Sequence, residues 1–281
     1  MHLPSKILLF ALIGLFVVAC AKTAQTSSQS AASPAASPTS TTSAMAAASP
    51  VATASGPVAT AAASPAASGS AAVTVAYTDI NGIVAEKAIQ NEAALGVFES
   101  TTGAFNPNAQ ISRGEFVKWL VILNNDYYKD NLSNQLRLPE TAEATFDDVP
   151  QTSPYWKYVQ ALTDAGFTVG VDAKHFAPDR AINRQEMIAI KSQVDAGHKF
   201  TPNPEDTTKT LTDHGFVDGN QVNKNYVTVM LADIYDGGGG NFERVWGKTV
   251  YLHPAQPVTR AEAALTLSEI AGTSVPQAQP H

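Results

Sequence analysis

Val258-Thr259-Arg260-Ala261-Glu262-Ala263 decides how this chain is read, because two earlier segments repeat its spacing. Ile111-Ser112-Arg113-Gly114-Glu115-Phe116 and Ile182-Asn183-Arg184-Gln185-Glu186-Met187 likewise place an arginine two residues before a glutamate. Six residues ahead of each arginine stands a proline, in Phe105-Asn106-Pro107, Phe176-Ala177-Pro178 and Leu252-His253-Pro254. The arginines recur at intervals of 71 and 76 residues, a period that points to tandem structural units. Ser112, Asn183 and Thr259 are N-cap residue types with a glutamate three positions on. The pattern is a capping box, strict in the first and third copies and with Asn as the cap in the second. Apolar faces follow at helical spacing: Phe116, Trp119, Leu120 and Leu123; Met187, Ile190 and Val194; Ala264, Leu265, Leu267 and Ile270.

Working outward, a second shared piece lies upstream of each copy. Tyr77-Thr78-Asp79-Ile80 opens the first and Phe146-Asp147-Asp148-Val149 the second. Leu211-Thr212-Asp213 is the preferred opening of the third, with Phe216-Val217-Asp218 as the alternative. Each opening leads into an apolar helical run that stops at glycine: Gly96, Gly166 and Gly237. Every copy therefore reads as helix, loop carrying Phe/Leu-x-Pro, helix. One such unit cannot bury both of its apolar faces, so three are expected to share a core. The units are placed at 74–138, 139–200 and 201–272, with a disordered tail at 273–281.

The rest of the chain is of another kind. Of 18 Lys+Arg and 25 Asp+Glu, residues 1–73 hold only Lys6 and Lys22, so the remaining 208 residues carry a net charge of -9. That acidity argues against a nucleic-acid partner, whose backbone needs clustered Lys and Arg. The apolar run Ile7–Val18 would make about 18 Å of helix, short of the roughly 30 Å of a bilayer core but suited to a signal peptide over 1–19. It ends in Val17-Val18-Ala19-Cys20, with the chain's one cysteine. This resembles the lipobox of bacterial lipoproteins, which implies cleavage before Cys20 and lipid on its thiol. Residues 20–73 are nearly all Ala, Ser, Thr and Pro and read as a disordered tether. About 50 such residues reach roughly 40 Å as a coil.

An aromatic-x-Asp-Val opening, a helix ending in glycine, Phe-x-Pro, and then Thr259-Arg260-Ala261-Glu262 together resemble the S-layer homology repeat. Ser112-Arg113-Gly114-Glu115 and Asn183-Arg184-Gln185-Glu186 are degenerate copies of that motif. The resemblance covers roughly residues 75–272. It implies a mainly α fold, in which three tandem helix-loop-helix repeats form a pseudo-threefold spindle preceded by the disordered linker. It also implies grooves that bind cell-wall polysaccharide or peptidoglycan, with Arg113, Arg184 and Arg260 as the main contacts. Asp79, Asp148 and Trp156 correspond to further groove positions.

Residue chemistry leaves two roles open. A guanidinium at a helix N-terminus, beside free N–H groups, can grip a carboxylate in bidentate fashion. The same arginines could equally pair with acidic residues of a neighbouring repeat. Asp79, Asp148 and Asp213 could instead cap first helices, and Trp156 could stack on a sugar or fill the core. The first copy lacks a tryptophan matching Trp156, and the third carries the insertion Asp236-Gly237-Gly238-Gly239-Gly240-Asn241. Residues 124–145, with Tyr127, Tyr128 and Leu132, form an extra stretch that could hold another helix. One or two working grooves are therefore expected.

Catalytic and metal motifs are missing. The glycine run at 237–240 is not followed by Lys-Ser/Thr, Asp218-Gly219-Asn220-Gln221-Val222 departs from a calcium loop, and the histidines form no HxxxH pair. No cofactor or metal is expected, and no enzymatic activity. The sequence reads as an envelope lipoprotein joining a membrane to wall glycan. It would sit on the outer membrane facing the periplasm, or on the outer face of the plasma membrane in a single-membrane cell. A scaffold binding other envelope proteins through drifted repeats is the alternative.

Overall fold

The computed structural model describes residues 73–168, 170–235 and 240–277. The apolar leader, Cys20, almost all of the 20–73 tether and the expected helix stop at Gly237 lie outside them. Among the described residues the fold is mainly α, with two pairs of two-residue strands. In order come β1 (Ala76–Tyr77), α1 (Glu86–Ala94), β2 (Thr102–Gly103), α2 (Arg113–Tyr127), α3 (Trp156–Asp164) and α4 (Arg184–Ala196). The third unit adds α5 (Thr208–Asp213), α6 (Val227–Ile234), α7 (Asn241–Trp246) and α8 (Arg260–Leu267), then β3 (Glu269–Ile270) and β4 (Thr273–Ser274).

The repeated motif starts α2, α4 and α8. Ser112, Asn183 and Thr259 accept at their side chains from the backbone N–H of Glu115, Glu186 and Glu262, at 3.1, 3.0 and 3.2 Å. The return bond, from cap N–H to glutamate, is made by Glu186 (3.2 Å) and Glu262 (2.8 Å). The full box therefore stands in the second and third copies, while the Glu115 carboxylate turns to Arg260.

Just before these caps the three units are tied into a closed cycle. Ile111 N–H donates to Val258 O (3.0 Å), Ile182 N–H to Ile111 O (3.1 Å) and Val258 N–H to Ile182 O (2.9 Å). All three side chains are fully buried. A second cycle surrounds the first: Arg113, Arg184 and Arg260 donate their backbone N–H to Arg180 O, Gln256 O and Ala109 O at 2.9–3.0 Å. Outside the cycles each second helix packs against the first helix of the next unit: α2 on α3, α4 on α6 and α8 on α1. One buried apolar cluster runs through all three units, from Ile80 and Ile89 to Leu267 and Ile270.

The aspartates do not cap first helices. Asp79 accepts from the backbone N–H of Phe105 and Asn106, both at 2.8 Å. Asp148 does the same for Phe176 (2.8 Å) and Ala177 (2.7 Å). In the third unit this bond pair belongs to Asp218, with Leu252 and His253 at 2.8 Å each. Asp213 instead lies at the end of the additional helix α5, paired with Lys209 on the surface. The opening of the third copy is thus the Phe216-Val217-Asp218 alternative. Each clamp holds a non-glycine residue in the left-handed region: Asn106 and Ala177 at φ 59° and His253 at 48°.

Two other expectations change. Residues 124–145 form no α-helix beyond α2; a single 3-10 turn at Leu132–Asn134 is held by Asn125, which binds Leu136 N–H and O at 2.7 and 2.8 Å. The start of the expected tail is ordered as a hairpin, with β4 antiparallel to β3. Ala271 and Gly272, at φ 48° and 70°, make the doubly left-handed turn that such two-residue hairpins require. Val275 is buried beyond it.

Candidate functional site

The cyclic order gives every motif arginine the same pair of neighbours. Its guanidinium faces the motif glutamate of the following unit and an aromatic ring. Arg113 meets Glu186 at 3.6 Å, Arg184 meets Glu262 at 3.5 Å, and Arg260 closes the circle with Glu115. These are the cross-repeat pairs that the sequence left open as an alternative role. The three positions then diverge in what covers them.

At Arg113 the groove is filled. Its side chain is 2% exposed, its Nε donates to Phe176 O at 3.0 Å, and its guanidinium lies 4.5 Å above the Phe176 ring. Arg180 adds a second cation to Glu186 at 2.7 Å. Tyr226, the residue preceding α6, lies near this group; burial pushes its hydroxyl pKa up, with Glu186 adding to the rise and Arg113 opposing it.

Arg184 is 9% exposed and lies under the indole of Trp246, 4.3 Å from the ring centre. The Trp246 Nε1–H donates to Glu262 at 2.6 Å. Burial, only partly opposed by Glu262, lowers the pKa of this guanidinium.

Arg260 is the accessible one, at 20% exposure. Its Nε donates to Phe105 O at 2.8 Å, and the guanidinium lies 4.8 Å from both the Phe105 and Trp119 rings. It opens onto a cleft of about 500 Å³. Phe98, Trp119, Tyr77 and Tyr155 give that cleft aromatic walls, and Lys118, Glu99, Glu115 and Asn106 line it with polar groups. Lys118 pairs with Glu99 at 2.6 Å and, through that bond, holds the Glu99 carboxyl below its ordinary range. Two cations beside two carboxylates keep the cleft near neutral within an acidic chain. Aromatic faces beside charged donors are the chemistry that takes a sugar ring by stacking and its oxygens by hydrogen bonds.

Of the sequence-derived residues, Arg260 lines this cleft, and Asp79 fixes the backbone of Asn106 at its edge. Asp148 performs the same service in the Arg113 groove. Trp156 is elsewhere: it is 5% exposed within the apolar core, and its Nε1 is buried without a hydrogen-bond partner. Its neighbour Tyr155 faces the cleft instead, one step around the helix start. A signal for Tyr155 was present in the degenerate motif. A Cβ on Gly114 would come within 2.5 Å of the Tyr155 ring, so glycine at this motif position lets the tyrosine lie over the start of α2. Lys118 and Phe98 carried no such mark. Among the described residues, no group of three His, Cys, Asp or Glu could hold a metal ion.

The arrangement can be set beside known proteins. The S-layer homology domain model matches residues 76–117 and 145–188, the stretches from each aspartate clamp through the Arg113 and Arg184 motifs. The chain is also 30% identical over 201 residues to the Surface-layer 125 kDa protein of Lysinibacillus sphaericus. That alignment covers 71% of this chain and 15% of the longer protein. The third unit lies outside the family matches, yet it repeats the clamp and the cyclic backbone bonds of the first two and the capping box of the second.

Proposed function

We propose that this chain is a non-catalytic envelope protein that holds cell-wall polysaccharide or peptidoglycan in the Arg260 cleft. The observation that carries the reading is the cleft itself: a reachable guanidinium over aromatic rings in an opening of about 500 Å³. The S-layer homology matches and the surface-layer relative support envelope association. Arg260, Lys118, Trp119 and Tyr155 make the contacts. Asp79 and Asp148 set the loops, and Arg113 pins the second unit to the first. At the other end, lipid on Cys20 ties the chain to a membrane, and the tether crosses the gap to the wall.

The test is sedimentation of the full chain with purified wall sacculi, with and without soluble wall glycan as competitor. Binding that the glycan competes away is the expected result. A chain that stays in the supernatant, or whose pelleting requires other envelope proteins and ignores the glycan, overturns this reading. The second outcome would favour the protein scaffold instead.

A further inference from the structure

We infer that the first strand, β1, makes the Arg260 cleft sensitive to load: a pull on the chain ahead of the fold peels β1 away and loosens the grip on the ligand. The inference rests on the reading of the Arg260 cleft and on the N-terminal anchor proposed with it. It concerns how that cleft is regulated.

The chain enters the fold on the surface, with Val73 and Thr74 exposed and Val75 half-buried. It then runs parallel to β2, with Ala76 opposite Thr102 and Tyr77 opposite Gly103. Ala76 N–H donates to Thr101 O and Thr78 N–H to Gly103 O, both at 2.8 Å. The Thr78 hydroxyl adds a bond to Gly103 O at 3.2 Å, and the Tyr77 hydroxyl one to Ser100 O. A two-stranded ribbon this short is marginal by itself.

The same residues build the cleft. Tyr77, Ser100 and Ala104 line it. The Tyr77 ring meets Phe105 edge-on at 5.4 Å. Phe105 in turn carries Arg260, with its ring 4.8 Å from the guanidinium and its carbonyl accepting Nε–H at 2.8 Å. A pull at Val75 therefore reaches Arg260 through Tyr77 and Phe105, opposed mainly by neutral hydrogen bonds. Two residues beyond Tyr77 the resistance rises. Asp79 holds the N–H groups of Phe105 and Asn106 with its carboxylate, and Ile80 is buried in the core. Charge-assisted bonds are the stronger kind, so peeling stops there and the fold survives it. Phe146 and Phe216, the matching residues of the other units, are reached by chain that already lies inside the fold. Load from the N-terminus thus acts first on the one cleft whose arginine is reachable.

Force spectroscopy tests this with the full chain held by a handle at its N-terminus against a bead coated with wall glycan. Cys20→Ser/Ala76→Cys/Thr102→Cys places a disulfide between facing positions of β1 and β2, and the same protein is measured oxidised and reduced. At zero load the two forms should bind the glycan equally. Under load the reduced form should release it about tenfold sooner, the effect of losing two hydrogen bonds and one aromatic contact. Equal lifetimes at every load, or longer ones in the reduced form, overturn the inference and leave the Arg260 reading standing. No adhesion by either form at zero load overturns the Arg260 reading and this inference with it. If the disulfide does not form, Ala76→Pro deletes the N–H that Thr101 accepts. That variant should release the glycan sooner than wild type under load, at equal unloaded affinity. A wild-type lifetime under load in a cooperatively melting Ala76→Pro chain counts against the inference.

Discussion

At the scale of single residues, the fold depends on three carboxylates that each hold two backbone N–H groups across more than twenty-five positions of chain. Hydrogen bonds to a charged acceptor are worth about 1.5–3 kcal/mol each when neither partner is left wet. Asp148→Ala should therefore lower unfolding stability by about 3 kcal/mol in a denaturant titration, whereas Asp213→Ala on the surface of α5 should change it by less than about 0.5 kcal/mol. The clamp at Asp148 also keeps Ala177 at φ 59°, where an L side chain costs about 1–2 kcal/mol. Ala177→Gly removes that cost and adds about 0.4–1 kcal/mol of unfolded-chain entropy, for a net gain of about 0.5–1 kcal/mol. A lower midpoint for Ala177→Gly would mean that the left-handed turn is not strained. The aspartates were visible in the sequence as repeated letters. Their partners were not, because a bond between Asp79 and Phe105 has no local pattern. For the same reason nothing local separated Asp213 from Asp218.

At the scale of elements, the starts of α2, α4 and α8 were legible because a cap and its glutamate are three residues apart and act locally. Helix phase was less legible: Tyr155 and Trp156 adjoin, and only packing decides which faces the cleft. The insertion helix α7 and the final hairpin were not foreseen, since Ala271–Gly272 is a two-residue turn signal inside a stretch of small and polar side chains. One element carries an internal liability. Glu92 on α1 is fully buried, and neither carboxyl oxygen has a hydrogen-bond partner. Burial pushes its pKa well above the usual 4.5, with the buried Lys191 opposing. A carboxyl with a raised folded pKa binds more protons folded than unfolded, so its contribution is greatest below the ordinary value. That contribution falls as pH rises from about 4.5 through the raised folded value. Glu92→Gln should remove this fall and raise the melting temperature at neutral pH relative to wild type. Equal pH profiles for the two proteins across that window would show that Glu92 is solvated or paired.

At the scale of the whole molecule, the cycle of backbone bonds makes each unit complete its neighbour's groove. Arg260 of the third unit needs Glu115 and Phe105 of the first, and α8 needs α1. A chain ending at residue 200 would leave Ile111 without its acceptor on Val258 and should lose cooperative thermal melting by circular dichroism. The recurrence of the arginine motif at three helix starts was legible from spacing alone; the unequal cover of the three arginines was not, because it turns on Tyr155 and Trp246, each distant in sequence from the arginine it adjoins. An acidic chain with a near-neutral cleft must hold its ligand by local contacts instead of its overall field. The most direct measurement is therefore the affinity of Arg260→Lys for soluble wall glycan. Lysine keeps the charge but loses the planar stack on Phe105 and Trp119 and the forked donors. The account predicts about tenfold weaker binding or more, the effect of at least about 1.4 kcal/mol, in a chain that still melts cooperatively. Wild-type affinity in a folded Arg260→Lys chain would contradict it.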